Sequence, residues 1–546
     1  MKRILSAVLA ALTLCGVFSA TALADGSPFS DVEADRWSRE AVGYAYDRGL
    51  MNGVGGGKFD PEGTMTRAMV VTVLWRVEGK PEPAEASGFS DVPAGEWFTD
   101  AVAWAKSKGV VNGVSETAFD PDGSITREQL AAILFRYCDA KNLFVDERGD
   151  LSPFTDRGKI SSYAEDALSW AVGVKLIGGV SNTLLDPGGF ATREQVATIL
   201  MRFDKTEFTT LADYYRPYVD GIAAYSEKML RGEMARLAAD PNSTLADLQV
   251  WGNGLIVMGL AELGRYEAVE EYADMWFGHH DRNGAISADS GLAGYAMLEM
   301  YKRTGEEKYL TLAREALEGI LRRRTDAYGE IKYDGNDNND VYVDGTGMVT
   351  PLLARWGAEF GDEDVRAKAV LQVSNYLRMG VVPVMYYAYH GYTGSGAYQG
   401  EMGWGRGTGY LMLAIGSVMR YCGDDEVNAR CEKFIEFTFK RLKPENKFGW
   451  TLSDPDADSD TSATGKIMWG VMMAKQAGLA DCVSDKTVKA IAKAGLTDVY
   501  DGQVRGASGG SGGFGSYSDK HDENLTYGQG AMLCFYALFL SYLENG

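Results

Sequence analysis

The sequence predicts a mainly α protein in two parts: a threefold repeat of helical units, then an (α/α)6 toroid, a closed ring of helical hairpins. Three observations predict it. One helical unit recurs over 29–79, 89–138 and 154–203. Twelve helical segments follow between Asp213 and Glu544. Among these, helices apolar on most sides alternate with helices bearing a single apolar stripe, which is the pattern of inner and outer layers.

The chain has 546 residues, too many for one ordinary core, so two or more domains are expected. Its opening, "MKRILSAVLAALTLCGVFSATALADG", sets Lys2 and Arg3 before a short apolar run that ends at Ala22-Leu23-Ala24. That is a secretory signal peptide over 1–24, with Asp25 as the mature start. Leu14 before Cys15 excludes a lipid-attachment box, and no later run is long enough to span a bilayer, so no membrane insertion is expected after cleavage.

The formal net charge of −22 argues against nucleic acid and anionic membranes as partners. An anionic ligand would need a local cationic pocket. The mature chain keeps five cysteines, Cys138, Cys422, Cys431, Cys482 and Cys534, an odd number at irregular spacings. This suits buried thiols better than a disulfide framework or a zinc site. With four histidines in all, a His-rich metal site is not expected, and no cofactor is called for.

Each front unit reads as helix, Gly-containing turn, short extended piece and second helix. Trp37, Ala41 and Ala45 share one face of the first helix, which stops at Gly49. The second helices open at Thr66, Thr126 and Thr192. Gln129 and Gln195 complete capping boxes, and Met69 breaks that pattern in the first unit. The "FSDV", "NGV", "FDP" and "TRE" elements together resemble the S-layer homology family. The resemblance implies a three-unit prism whose grooves bind a pyruvylated secondary cell-wall polymer, and hence a cell-surface location on a Gram-positive-type envelope. Its ligand contacts would be Trp37, Trp97, Arg67, Arg127 and Arg193, since a guanidinium suits a ketal carboxylate. The competing reading is that each arginine only salt-bridges the next unit. Tyr163 stands where the third unit should have Trp, so its groove is expected to be the weaker one.

After a linker over 205–212, the helices of 213–546 begin near 213, 244, 265, 289, 306, 345, 363, 406, 425, 460, 484 and 527. Five junctions turn at Gly264, Gly305, Gly361, Gly423 and Gly478. Because inner and outer helices alternate, all inner helices run the same way and their N-termini share one mouth. Trp251, Asn253, Asp289, Asp344, Trp404, Arg406, Asp460, Ser462, Tyr527 and Gln529 stand there. Converging polar and aromatic side chains suit a sugar cleft. The helix N-termini make it electropositive, which favours a uronate.

"YVDGTGMVTPLL", "GWGRGTGYLMLAIG", "DTSATGKIMWGV" and "YGQGAMLCFYAL" resemble glycoside hydrolase families 88 and 105, the unsaturated uronyl hydrolases, over most of 213–546. "WGRGTGY" is closer to the rhamnogalacturonyl enzymes of family 105. The resemblance implies a six-hairpin glycosidase with Asp344 and Asp289 as its catalytic pair. Asp344 would protonate C4 of a C4–C5 double bond left by a lyase and help water add at C5. His390, Trp404 and Arg406 would hold substrate, Trp251 and Tyr410 would stack on it, and Asn253 and Ser462 would be further substrate contacts, the alternative for Ser462 being a cap or helix-packing residue beside Asp460. Mutual repulsion and a dry pocket are expected to keep the proton on Asp344, with Asp289 ionised. The acidic turns at 334–340 and 454–460 lack a calcium-loop pattern, so no metal is assigned. Alternatives are a surface glycan-binding protein without turnover, and a glucuronyl hydrolase acting on glycosaminoglycan fragments.

Overall fold

The computed structural model describes residues 27–278, 287–333, 340–509, 517, 521–522 and 525–545. The expected signal peptide and most of the 334–340 turn lie outside the described residues. The chain divides into two compact units, Met1–Tyr214 and Tyr215–Gly546.

The first unit holds three sequential pairs of helices, α1 (Arg39–Asp47) then α2 (Arg67–Val77), α3 (Thr99–Ser107) then α4 (Arg127–Ala140), and α5 (Glu165–Gly173) then α6 (Arg193–Lys205), with each first helix packed on the second helix of the preceding repeat, counted cyclically. Thr126 with Gln129, and Thr192 with Gln195, form full capping boxes. Thr66 accepts only from Met69 N, because a methionine cannot return the bond. The recurring "FSDV" aspartate has a structural task. Asp31 accepts from the N–H groups of Phe59 and Asp60, both at 2.8 Å, and Asp91 and Asp156 repeat this at 119–120 and 185–186.

The three pairs interlock cyclically. The N–H of Arg67 donates to Gly123 O, that of Arg127 to Gly189 O, and that of Arg193 back to Gly63 O. One apolar cluster drawn from all three pairs fills the centre, so the unit is a closed prism.

In the second unit α7 (Leu211–Ala239) and the single turn α8 (Leu245–Leu248) precede the ring. Five hairpins follow: α9 (Trp251–Leu263) with α10 (Tyr266–Phe277), α11 (Ser290–Thr304) with α12 (Glu307–Leu321), α13 (Val343–Phe360) with α14 (Glu363–Met379), α15 (Gly405–Tyr421) with α16 (Asp425–Phe439), and α17 (Thr461–Gln476) with α18 (Asp485–Gly495). The last helix, α19 (Thr526–Asn545), pairs with α7 through bonds from Gln529 Nε2 to Ile222 O and Ser226 Oγ, both at 3.1 Å. The helix expected from near 244 is interrupted instead: Thr244 and Asp247 box in a single turn, and extended Val250 separates it from α9.

Helices α9, α11, α13, α15, α17 and α19 each pack on the next, and α19 packs back on α9, closing the (α/α)6 toroid. The glycines of these inner helices are what lets them touch. A Cβ on Gly470 would stand 2.1 Å from Met412 O, and one on Gly347 2.4 Å from Tyr410 O. Backbone thus meets backbone, and nearly every residue of α15 and α17 is buried. Outer α18 buries only Val488, Ile491, Ala492 and Gly495. Gly264, Gly305 and Gly361 end their helices at φ 83°, 72° and 64°, the left-handed conformation that glycine adopts without strain.

A feature the sequence did not announce is a small antiparallel sheet, β1 (Val341–Tyr342), β2 (Tyr389–Tyr392) and β3 (Tyr398–Met402). It joins the start of α13 to the loop before α15. Cys138, Cys422, Cys431 and Cys534 are buried free thiols, as expected, whereas Cys482 is exposed.

Candidate active site

The inner-helix N-termini do share one mouth. Trp251 of α9 lies 4.6 Å from the Tyr527 ring of α19 and 6.4 Å from the Tyr410 ring of α15. The Arg406 guanidinium is caged by three rings: Tyr527 at 4.6 Å, Trp404 at 4.9 Å and Trp251 at 5.7 Å. It donates to Ser508 O and Gly509 O, which fix its orientation. Several π faces and a pinned guanidinium make a rigid cationic socket.

Asp344 is the second residue of α13. Tyr342 occupies the cap position, and no side chain caps that helix. Asp289 does occupy the cap position of α11, yet its backbone is helical (φ −59°, ψ −28°) and its side chain accepts no capping bond. Asp460 shows what a true cap looks like: Oδ1 accepts from Ser462 N at 2.7 Å and Ala463 N at 3.2 Å. The two acids that belong to the mouth are therefore not used to finish their helices.

His390 of β2 brings Nε2 to 3.1 Å from Asp344 Oδ2. The approach is off the line of a hydrogen bond, and among the described residues Oδ2 has no hydrogen-bond partner. Asp289 Oδ1 and Tyr410 OH likewise have none, which leaves three polar atoms for a ligand or water. His390 Nδ1 meets Tyr517 OH at 2.6 Å, and its ring lies 4.4 Å from Trp404.

Burial raises the Asp289 carboxyl to about 7, helped by the charge of Asp344 and opposed by a Tyr333 hydrogen bond and Arg323. The expectation that Asp289 stays ionised is thereby corrected. Because its side chain does not reach the first-turn N–H groups, the helix terminus does not offset its desolvation. Asp344 has instead the His390 ring beside it.

Asn253 donates to Leu248 O and steadies the entry to α9. Ser462 donates to Asp460 Oδ1 and is fully buried. Gln529 is committed to Ile222, Ser226, Gly502 and Val504. Residues missed by the sequence reading are Lys466, Tyr333 and Tyr517. For Lys466 the signal was a single charge within an apolar inner helix; Tyr333 and Tyr517 lie in loops and carried none.

In the prism, Arg67 Nε donates to Phe119 O, Arg127 Nε to Leu185 O and Arg193 Nε to Phe59 O. Each arginine thus grips a carbonyl of the next unit in the cycle, not a carboxylate, which corrects the salt-bridge alternative. Two grooves open there. One of about 300 Å³ is lined by Arg67, Gly113, Arg136 and Tyr163, and one of about 190 Å³ by Asn52, Arg76, Trp97 and Arg193. Tyr163 thus lines the larger groove, beside the first unit's arginine. Trp37, Trp97 and Tyr163 are 62%, 54% and 51% exposed, unusual for such rings.

A closed helical toroid with an acid pair and a caged arginine at its mouth places the second unit among the α-toroid glycoside hydrolases. The chain belongs to glycosyl hydrolase family 88, whose model matches residues 225–543, and carries three S-layer homology domains at 28–68, 88–131 and 153–197. Among solved structures it is similar to a family 105 glycoside hydrolase from C. acetobutylicum (18% identity, TM-score 0.47, covering 57% of this chain and 99% of that one). It is also similar to the unsaturated glucuronyl hydrolase of Bacillus sp. GL1 (17%, TM-score 0.45, covering 55% and 86%). Curated relatives include the surface-layer 125 kDa protein of Lysinibacillus sphaericus (32% over 231 residues, 41% of this chain and 18% of that protein). Another is an amylopullulanase of Thermoanaerobacterium thermosulfurigenes (28% over 172 residues, 32% and 9%). The chain spans under a third of the length of these curated relatives.

Proposed function

We propose that the protein is a surface-anchored unsaturated uronyl hydrolase: the prism holds it to the cell wall while the toroid removes the terminal 4,5-unsaturated uronic acid from lyase-made oligosaccharides. The observation that carries this reading is Asp289 within reach of the Asp344 charge, at the mouth that also holds the ring-caged Arg406. Rhamnogalacturonan-derived fragments are the favoured substrates, on the "WGRGTGY" spelling that opens α15. The wall ligand is proposed to be a pyruvylated polymer, with the exposed Trp37 and Trp97 on its sugar faces and Arg67, Arg127 and Arg193 near its carboxylates.

In the proposed reaction the acid pair holds one proton, which rests on Asp289 between turnovers. Asp344 meets the substrate and passes that proton on. The C4=C5 π electrons take it to form a C4–H bond, and the ring oxygen shares the positive charge left at C5. Asp344, now a carboxylate, accepts a proton from water as its oxygen bonds to C5. The hemiketal opens by breaking its C5–ring oxygen bond, and the resulting hemiacetal at C1 releases the neighbouring sugar. Arg406 binds the uronate carboxylate, and Trp251 and Tyr410 line the pocket.

The test is turnover by the full chain of lyase-made disaccharides from pectin, glycosaminoglycan and ulvan-type polymers, read as loss of the conjugated double bond's ultraviolet absorbance. Asp344→Asn should be slower by roughly a hundred- to ten-thousandfold. Wild type and variant equally inert on all three classes would sink the hydrolase reading in favour of glycan binding alone. Turnover confined to glycosaminoglycan fragments would reassign the substrate.

A further inference from the structure

Lys466 is a charged group at the mouth that the reaction above leaves unused. It is fully buried on α17. An ammonium offers three donors. Among the described residues Nζ has one acceptor, Ser462 O, at a long 3.4 Å. Otherwise it faces rings: Tyr410 at 4.8 Å and Trp251 at 6.0 Å. Arg406 lies 5.7 Å from that same Trp251 ring, so two mutually repelling cations share one indole. Of the carboxylates in range, Asp460 caps α17 and accepts from Ser508 Oγ, and Asp344 lies beside His390; neither bonds Lys466 Nζ among the described residues. A buried ammonium with unused donors and no dedicated counter-ion is unfavourable until an anion completes it.

We propose that Lys466 is a substrate-binding residue whose ammonium, together with Arg406, takes the carboxylate of a bound uronate. The inference rests on the uronyl reading above and names a second cation for it. The two cations differ in kind. Arg406 is a planar guanidinium already pinned by two carbonyls, whereas Lys466 is an ammonium on a flexible stem. Burial, reinforced by Arg406 and opposed by Asp460 and Asp344, pushes Lys466 down to about 7. Lys466 therefore takes up its proton as the carboxylate arrives, and its share of the affinity fades as pH rises through that value. The groups facing it are Arg406 and Tyr410 from α15, Asp344 from α13, Asp460 from its own helix and Cys534 from α19.

Calorimetric titration of the full chain with D-galacturonate and D-glucuronate, and with D-galactose as a neutral control, tests this from pH 5.5 to 8.5. Wild type should bind at least one uronate with proton uptake near neutral pH, and uptake should survive Asp289→Asn. Lys466→Met keeps the stem's volume, and a melting curve checks its folding. It should lose about ten- to a hundredfold in uronate affinity at pH 6, with the gap to wild type narrowing by pH 8.5, take up less proton than wild type and leave galactose unchanged. Lys466→Gln should behave likewise. Equal uronate binding by a folded variant at pH 6, an equal loss for galactose, or binding without proton uptake would overturn the proposal; should neither variant fold, proton uptake by wild type and Asp289→Asn decides it. Turnover is measured separately, so Lys466-dependent uronate binding by a chain inert toward every lyase-made substrate would remove the hydrolase reading and keep this one.

Discussion

His390 Nε2 stands 3.1 Å from Asp344 Oδ2, and behind it Nδ1 meets the Tyr517 hydroxyl. The Glu401 N–H donates to Tyr517 OH at 2.9 Å, so the phenol's own hydrogen is free for His390 Nδ1 at 2.6 Å. In the tautomer that takes the phenol's hydrogen at Nδ1, Nε2–H is the end that faces Asp344. Tyr517→Phe removes that donor and lets the other tautomer compete. It should lower kcat about tenfold with little change in KM, because the relay orients a reacting group without touching the sugar. His390→Ala should cost more, through kcat and KM together.

Asp289 gives a prediction with a definite sign. Its folded pKa of about 7 lies above the unfolded carboxyl value, so the folded state binds the extra proton. The stability this contributes is fully present below the unfolded pKa and is lost as pH rises through about 7. Asp289→Asn, always neutral, should therefore be more stable than wild type at pH 8 by a few kcal/mol at most, with the advantage fading towards pH 4. Melting curves over that range check it. The same variant should lose turnover, and the wild-type rate should fall on the alkaline side as the pair gives up its shared proton.

The toroid was legible because its signals are local. Inner helices are recognisable by glycine and aromatic spacing, and helix ends by Gly264, Gly305 and Gly361, so most starts lie within two residues of expectation. Placing Asp289 and Asp344 at one mouth followed from direction alone. The proton's location did not, since it depends on whether a side chain at the cap position reaches its own backbone, and Asp289 does not. The sheet carrying His390 was illegible because its strands are too short for a period of two to show. Lys466 could be seen as an anomaly, but its neighbours come from four other helices.

The prism separates anchoring from stability. Trp97 is half exposed and lines the 190 Å³ groove, whereas Arg193 also holds Phe59 O and Asn52 O. Trp97→Ala should abolish most sedimentation with purified wall polymer and leave melting unchanged. Arg193→Ala should reduce both, by roughly 1–3 kcal/mol in stability, because it leaves two carbonyls of the first unit without their donors. If removal of pyruvyl groups leaves pelleting of the wild type unchanged, the carboxylate–arginine account is wrong.

Glu330 tests how firmly the sheet holds His390 in place. It is fully buried, accepts from Thr346 Oγ1 at 2.7 Å and Tyr392 OH at 2.8 Å, and so ties α13 to β2 two residues beyond Asp344 and His390 respectively. Burial, stronger than the opposing bonds from Thr346 and Tyr392, raises it to about 8. A group neutral at pH 7 is well imitated by an amide, so Glu330→Gln should fold and turn over nearly as wild type does. Glu330→Leu leaves the buried Thr346 hydroxyl without its acceptor, at about 1–3 kcal/mol, and Tyr392 OH with only its 3.3 Å bond to Asp326 Oδ2. It should lower both melting temperature and kcat, while Asp344 and His390 remain chemically intact. Equal kcat in the two variants would mean that the position of His390 does not depend on this tie.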